Sequence, residues 1–158
     1  LNKKFDAVLC MFSVLNYITK EDKLIKVLQN VRDHMHSRSL FIFDSWHAPA
    51  VENHYSPQKS RVLIFDGKKL ERKSITKIYQ KKQSCEVTYI CDIKKNRFLL
   101  KRITEKHILK YFTIPQLESF LDKAGLKVLN LHPFMNMNGE VRRNTWDITI
   151  VAKKNSMR

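Results

Sequence analysis

The chain has 158 residues, 43% of them hydrophobic, which is enough for one domain with a real core and excludes a disordered segment. Thirty lysines and arginines against 15 acids give a formal charge of +15, which on composition alone points to nucleic acid or another anionic partner. Cys10, Cys85 and Cys91 are odd in number and form no CxxC pair, which argues against both a disulfide framework and a zinc site, and reduced thiols in a cytoplasmic protein are expected.

Phe5 to Ile18 reads FDAVLCMFSVLNYI, a short apolar strand running into a loop. No run is long enough to span a membrane, and Leu1 to Asp6 has no signal-peptide layout, so no membrane partner is expected. The chain starts abruptly, as if cut from something longer. In open α/β sheets ligands sit beyond the carboxyl ends of the strands, which gives Cys10 to Tyr17 the position of a site. The same pattern also serves as a plain connection in any α/β protein.

Thr19 to Asp22 has the form of an N-terminal capping box. Leu24, Val27, Leu28, Val31 and Met35 then recur at helical spacing, which predicts an amphipathic helix over about 20 to 36. Ser39 to Ser45, SLFIFDS, is a second buried strand. A strand, helix, strand series of this length predicts a right-handed parallel crossover. Cys10, Met11 and Phe12 should therefore cluster with Asp44, Trp46 and His47. Asp44 suits a proton acceptor or hydrogen-bond partner for a bound amine or hydroxyl, and equally a cap for the turn that follows it.

From Tyr55 to Phe112 the pattern becomes antiparallel, with strands at Arg61 to Phe65, Ser74 to Tyr79, Cys85 to Asp92 and Phe98 to Tyr111. His107 would share a face with Lys101, Ile103, Glu105 and Leu109, either as a general base or as a structural or exposed histidine. The densest basic stretch, Lys68 to Lys82, holds one aromatic, Tyr79, and no RNA- or DNA-binding pattern. A nucleic-acid-binding module is thus the weaker reading, and lysines on a solvated sheet the stronger. Thr113 to Gln116 is a second capping box, opening a helix with Leu117, Phe120, Leu121 and Ala124 on its buried stripe and Gly125 at its end. Strands at Leu126 to Leu131 and Trp146 to Ala152 close the chain, with a long loop between them.

FDAVLCMFSVLNYI, LxxVLxNVRDHM, SLFIFDSW, YFTIPQLESFLDKAGLKVL and WDITIVAKK, in this order, resemble the C-terminal part of class I S-adenosylmethionine-dependent methyltransferases. The branch is the small-molecule one that includes sugar N-methyltransferases. The resemblance implies an α/β fold: a partial Rossmann-like methyltransferase sheet of four strands, the last one antiparallel, with an antiparallel β insertion. Residues 1–54 and 113–158 would form the Rossmann-like part, and 55–112 the insertion over the acceptor site.

By the same resemblance, Cys10, Met11, Phe12 and Tyr17 would line the cofactor cleft, and Asn16 would help hold the loop. Asp44 or His107 would orient or deprotonate a small-molecule acceptor, while Trp46, His47 and Tyr111 would shape its pocket. No metal is implied. The family's glycine-rich cofactor loop has no counterpart here, since Gly67, Gly125 and Gly139 all sit at turns or caps. S-adenosylmethionine is therefore expected only if residues outside this chain complete the cleft. The Pro-Gly-Gly that usually precedes the fifth strand is replaced by His36 to Ser39. A non-catalytic remnant that dimerises or binds a ligand is the alternative, and for the isolated chain the open Phe5 to Cys10 edge predicts a homo-oligomer.

Overall fold

The expected crossover is present: Phe5–Cys10 forms β1, Glu21–Asp33 forms α1 and Met35–Trp46 forms β2. The structure, a computed structural model, describes residues 2–155. β1 and β2 run parallel, with Val8 beside Phe41 and Cys10 beside Phe43. A short 3₁₀ turn at Val14–Tyr17 joins β1 to the approach to α1.

Two local expectations are corrected. Lys20, not Thr19, is the N-cap of α1, and no side chain caps the helix. Glu21 and Asp22 in the first turn meet its partial positive charge instead. The helix stops at Asp33, short of 36, because Met35 is already part of β2. There the register jumps from Phe5 opposite Met35 to Ala7 opposite Leu40. The buried Ser39 hydroxyl satisfies this bulge, accepting from the His36 amide at 2.7 Å and donating to the Phe5 carbonyl. A serine thus occupies the place of the missing Pro-Gly-Gly turn.

After β2 come α2 (Ala48–His54) and four strands, β3 (Gln58–Phe65), β4 (Lys68–Tyr79), β5 (Ser84–Lys95) and β6 (Phe98–Lys110). Then follow α3 (Ile114–Lys123), β7 (Leu126–Pro133) and β8 (Asp147–Lys154). The chain divides into two compact units, Leu1–His54 with Lys110–Arg158, and Tyr55–Leu109.

In the first unit the sheet order is β1-β2-β8-β7, and β8 is antiparallel to both its neighbours. Leu24 and Leu28 of α1, with Leu117 and Leu121 of α3, bury Phe41, Phe43, Ile148 and Ile150 on one face of the sheet. The Thr113–Gln116 capping box forms with both reciprocal bonds. Gly125 takes φ +76° just past Ala124, where a left-handed residue ends the helix, and Arg32 donates to the Ala124 carbonyl at 3.2 Å. The opposite face of the sheet is covered less well: Leu9 is 64% exposed.

The second unit is the antiparallel sheet β3-β4-β5-β6. Asp66 and Gly67 both have positive φ, as a tight two-residue hairpin turn requires. Its buried side chains include Cys85, Val87 and Leu109.

Candidate functional site

The carboxyl ends of β1 and β2 lie side by side, so the Cys10 to Ser13 loop and the Asp44 to His47 segment meet within the first unit. Phe12 and Ser13 both adopt left-handed backbone, at φ 65° and 57°. Each non-glycine residue there costs about 1–3 kcal/mol. Asp44 offsets it. Its Oδ2 accepts the Ser13 amide at 2.7 Å and the Ser13 hydroxyl at 3.0 Å. Bonds to a charged acceptor contribute about 1.5–3 kcal/mol each, enough to hold the turn. Asp44 therefore caps the loop after β1, not the turn after β2.

β8 supplies a partner the sequence reading missed. Trp46 stands opposite Asp147 and Asp44 opposite Thr149, so Asp44, Trp46, Asp147 and Thr149 share one face of the sheet. The Ser13 hydroxyl also lies 3.4 Å from Asp147 Oδ1, linking the two carboxylates. Burial, with the charge of Asp44 added, pushes the Asp147 carboxyl up to about 6. Asp44 Oδ1 is buried without a hydrogen-bond partner. Trp46 packs edge-to-face on Trp146 at 5.6 Å, and Phe12 on Phe134 at 6.2 Å. A signal for Asp147 existed in the sequence: it is the one acid of its strand and stands at the head of the ITIVA run, and only the antiparallel register places it beside Asp44.

His47 is buried, its amide donating to the Trp146 carbonyl at 2.8 Å. Its Nδ1 lies 3.3 Å from the Thr145 carbonyl, so that nitrogen donates and Nε2 keeps its lone pair. Burial lowers its pKa, which keeps the ring neutral at pH 7. The Cys10 thiol is pushed up, first by burial and then by Asp44, so it stays protonated and is a poor nucleophile. Asn16, fully buried, donates to the Lys110 carbonyl at 2.6 Å and fixes the loop, while Tyr17 is 48% exposed beside it. Met11 is half-buried, and Tyr111 is buried in the core of this unit.

The first unit thus brings together Cys10, Met11, Phe12, Asp44, Trp46 and His47. His107 belongs to the second unit, where its Nε2 lies 3.4 Å from Glu105 and its ring packs edge-to-face on Tyr89 at 5.3 Å. Among the described residues no three His, Cys, Asp or Glu side chains gather as a metal site. No described helix is long and apolar enough to cross a membrane.

No protein-family model matches the chain, and no curated protein matches it. Solved structures do. An S-adenosylmethionine-dependent methyltransferase from Clostridium acetobutylicum superposes with a TM-score of 0.79 at 21% identity, covering 99% of this chain and 61% of that one. An amino pentose methyltransferase from Micromonospora echinaspora, solved with S-adenosylmethionine bound, gives 0.77 at 14%, covering 98% and 60%. A sugar N-methyltransferase from a Streptoalloteichus strain gives 0.74 at 16%, covering 96% and 57%. The chain has the α/β fold of S-adenosylmethionine-dependent methyltransferases and spans about 60% of the length of these structures.

Proposed function

We propose that this chain is the acceptor side of an S-adenosylmethionine-dependent methyltransferase acting on an amine or hydroxyl of a small molecule. The observation that supports this most is the strained Phe12–Ser13 turn, pinned by Asp44 across the carboxyl ends of two parallel strands. The residues present suit only part of a cofactor site. Cys10, Met11, Phe12 and Tyr17 supply one wall. None of the three glycines opens a helix behind a strand, so the cradle for the cofactor's methionine tail comes from outside these 158 residues.

The cofactor, when bound, supplies an electrophilic methyl group. What this chain contributes is position and a proton acceptor. Asp44 holds the loop through Ser13. Asp147 is the more accessible carboxylate, and its raised pKa suits it to take the proton an amine or hydroxyl loses. Trp46 and the buried Tyr111 shape the acceptor pocket, and His47 anchors the segment that carries Trp46. In a form that carries the cofactor half, Asp147→Asn and Asp44→Asn are expected to lower turnover by 10²-fold or more. For Asp147→Asn the S-adenosylmethionine affinity should stay within about threefold, whereas Asp44→Asn, which loosens the Phe12–Ser13 turn of the cofactor wall, should weaken it as well. Unchanged methyl transfer in both variants would remove these assignments.

A second reading rests on the open edge of β1, along which Phe5, Val8, Asn30, Val31 and His34 line a cavity of about 360 Å³. Such an edge invites pairing, so the isolated chain should associate with itself whether or not it retains catalysis. A stable monomer at micromolar concentration by light scattering contradicts this.

A further inference from the structure

One end of the inserted sheet combines two features that soluble surfaces keep apart. Successive antiparallel hairpins turn at alternate ends, so the β3–β4 turn at Asp66-Gly67 and the β5–β6 turn at Asn96-Arg97 lie at the same end. The two outer strands bring apolar runs to it. Val62, Leu63, Ile64 and Phe65 are all exposed, as are Phe98, Leu99 and Leu100, with Ile64 at 79% and Phe98 at 75%. Seven exposed apolar side chains on outer strands exceed the scattered singles of an ordinary surface.

Charge surrounds them. Residues 62–72 and 92–102 hold eight lysines and arginines against three acids, Asp66, Glu71 and Asp92. The acids are already engaged, Glu71 with Lys69 and Lys94, Asp92 with Arg102, and Asp66 with Lys68. A second copy meeting this end would set like charges together. A nucleic-acid face would need aromatic platforms along a basic groove, whereas only Phe65 and Phe98 are aromatic here, and the remaining apolar groups are aliphatic. Aliphatic tips ringed by lysine match an anionic lipid surface, where apolar side chains enter the interface and ammonium groups meet lipid phosphates and carboxylates.

We propose that the end of the inserted sheet bearing Asp66-Gly67 and Asn96-Arg97 docks on anionic membrane surfaces, with Ile64, Phe65, Phe98 and Leu99 entering the interface. This is peripheral binding and requires no spanning segment, so the lack of an apolar span in the sequence does not bear on it. It stands independently of the methyltransferase reading.

The test is co-sedimentation of the 158-residue chain with vesicles of phosphatidylcholine alone or with phosphatidylserine added, at 0.1 M salt. Binding is expected only with phosphatidylserine. Ile64→Ser with Phe98→Ser leaves the charge unchanged and should weaken binding by tenfold or more. Lys95→Gln with Lys101→Gln should also weaken it, by about fivefold per residue. All four positions are exposed, and an unchanged far-ultraviolet circular dichroism spectrum will show that the variants fold. Three results would overturn the proposal: no binding to phosphatidylserine vesicles, equal binding with and without that lipid, or full binding by the double-serine variant, which would mark diffuse attraction by the +15 chain. Polyuridylate binding that the serine changes abolish, without vesicle binding, would assign the same end to nucleic acid instead.

Discussion

Replacing Asp147 with asparagine should stabilise the chain as pH rises above about 4, and in full only above about 6. The asparagine oxygen can still accept from the Ser13 hydroxyl 3.4 Å away, so the packing is kept and only the charge is lost. In the folded chain the Asp147 carboxyl is raised from 3.8 to about 6, first by burial and then by Asp44. Between those values the folded state holds a proton that the unfolded state has released. Unfolding free energy therefore falls as pH rises through this window: the contribution is fully present below about 4 and lost above about 6.

Felt in full, the displacement amounts to about 3 kcal/mol. Asp147 is partly exposed, and water screens it, so on the order of 1–2 kcal/mol is the expected size. Urea unfolding of both proteins at pH 4 and pH 8, followed by the fluorescence of Trp46 and Trp146, measures it. The variant should match wild type at pH 4 and exceed it by that amount at pH 8, or by roughly 3–6 °C in melting temperature. A variant less stable than wild type at pH 8, or a difference that does not change with pH, would refute the burial of the Asp147 carboxyl in a form that resists ionisation.

Two further expectations concern stability and reactivity. Gly125→Ala forces a side chain onto φ +76° within 3.1–3.2 Å of Arg32, and should lower the urea unfolding free energy by about 1–2 kcal/mol. No loss would show that the α3 terminus relaxes freely. Cys85 is buried and its thiol is pushed up to about 11, so alkylation at pH 8 should leave it unmodified in the folded chain while the partly exposed Cys91 reacts. Mass spectrometry showing both modified at similar rates would mean the inserted sheet opens readily.

The strands and the parallel crossover were legible because apolar runs, crossover length and the Thr113 capping box are local signals. The pairing of β1 with β2 followed from them, and with it the meeting of Cys10, Phe12, Asp44 and Trp46. Asp147 and Ser13 were not legible. Their roles depend on a register between β2 and β8 set across 100 residues of chain, and on a serine held in left-handed backbone that no propensity favours. The Thr19 cap failed for a related reason: a capping pattern offers a bond, but the helix began one residue later, behind Lys20. Ser39 shows the reverse case, where one buried hydroxyl does the work of a missing turn motif. The basic, apolar end of the inserted sheet was hidden because its two runs lie some 30 residues apart and join only through the alternation of hairpins.

Calorimetric titration of the 158-residue chain with S-adenosylmethionine tests most directly whether these residues form only the acceptor side of a cleft. With the cradle for the methionine tail outside the chain, no binding tighter than about 1 mM is expected from the chain alone. One molecule bound per chain with micromolar affinity would contradict it, and would mean that the cofactor site is built from residues now assigned to the acceptor.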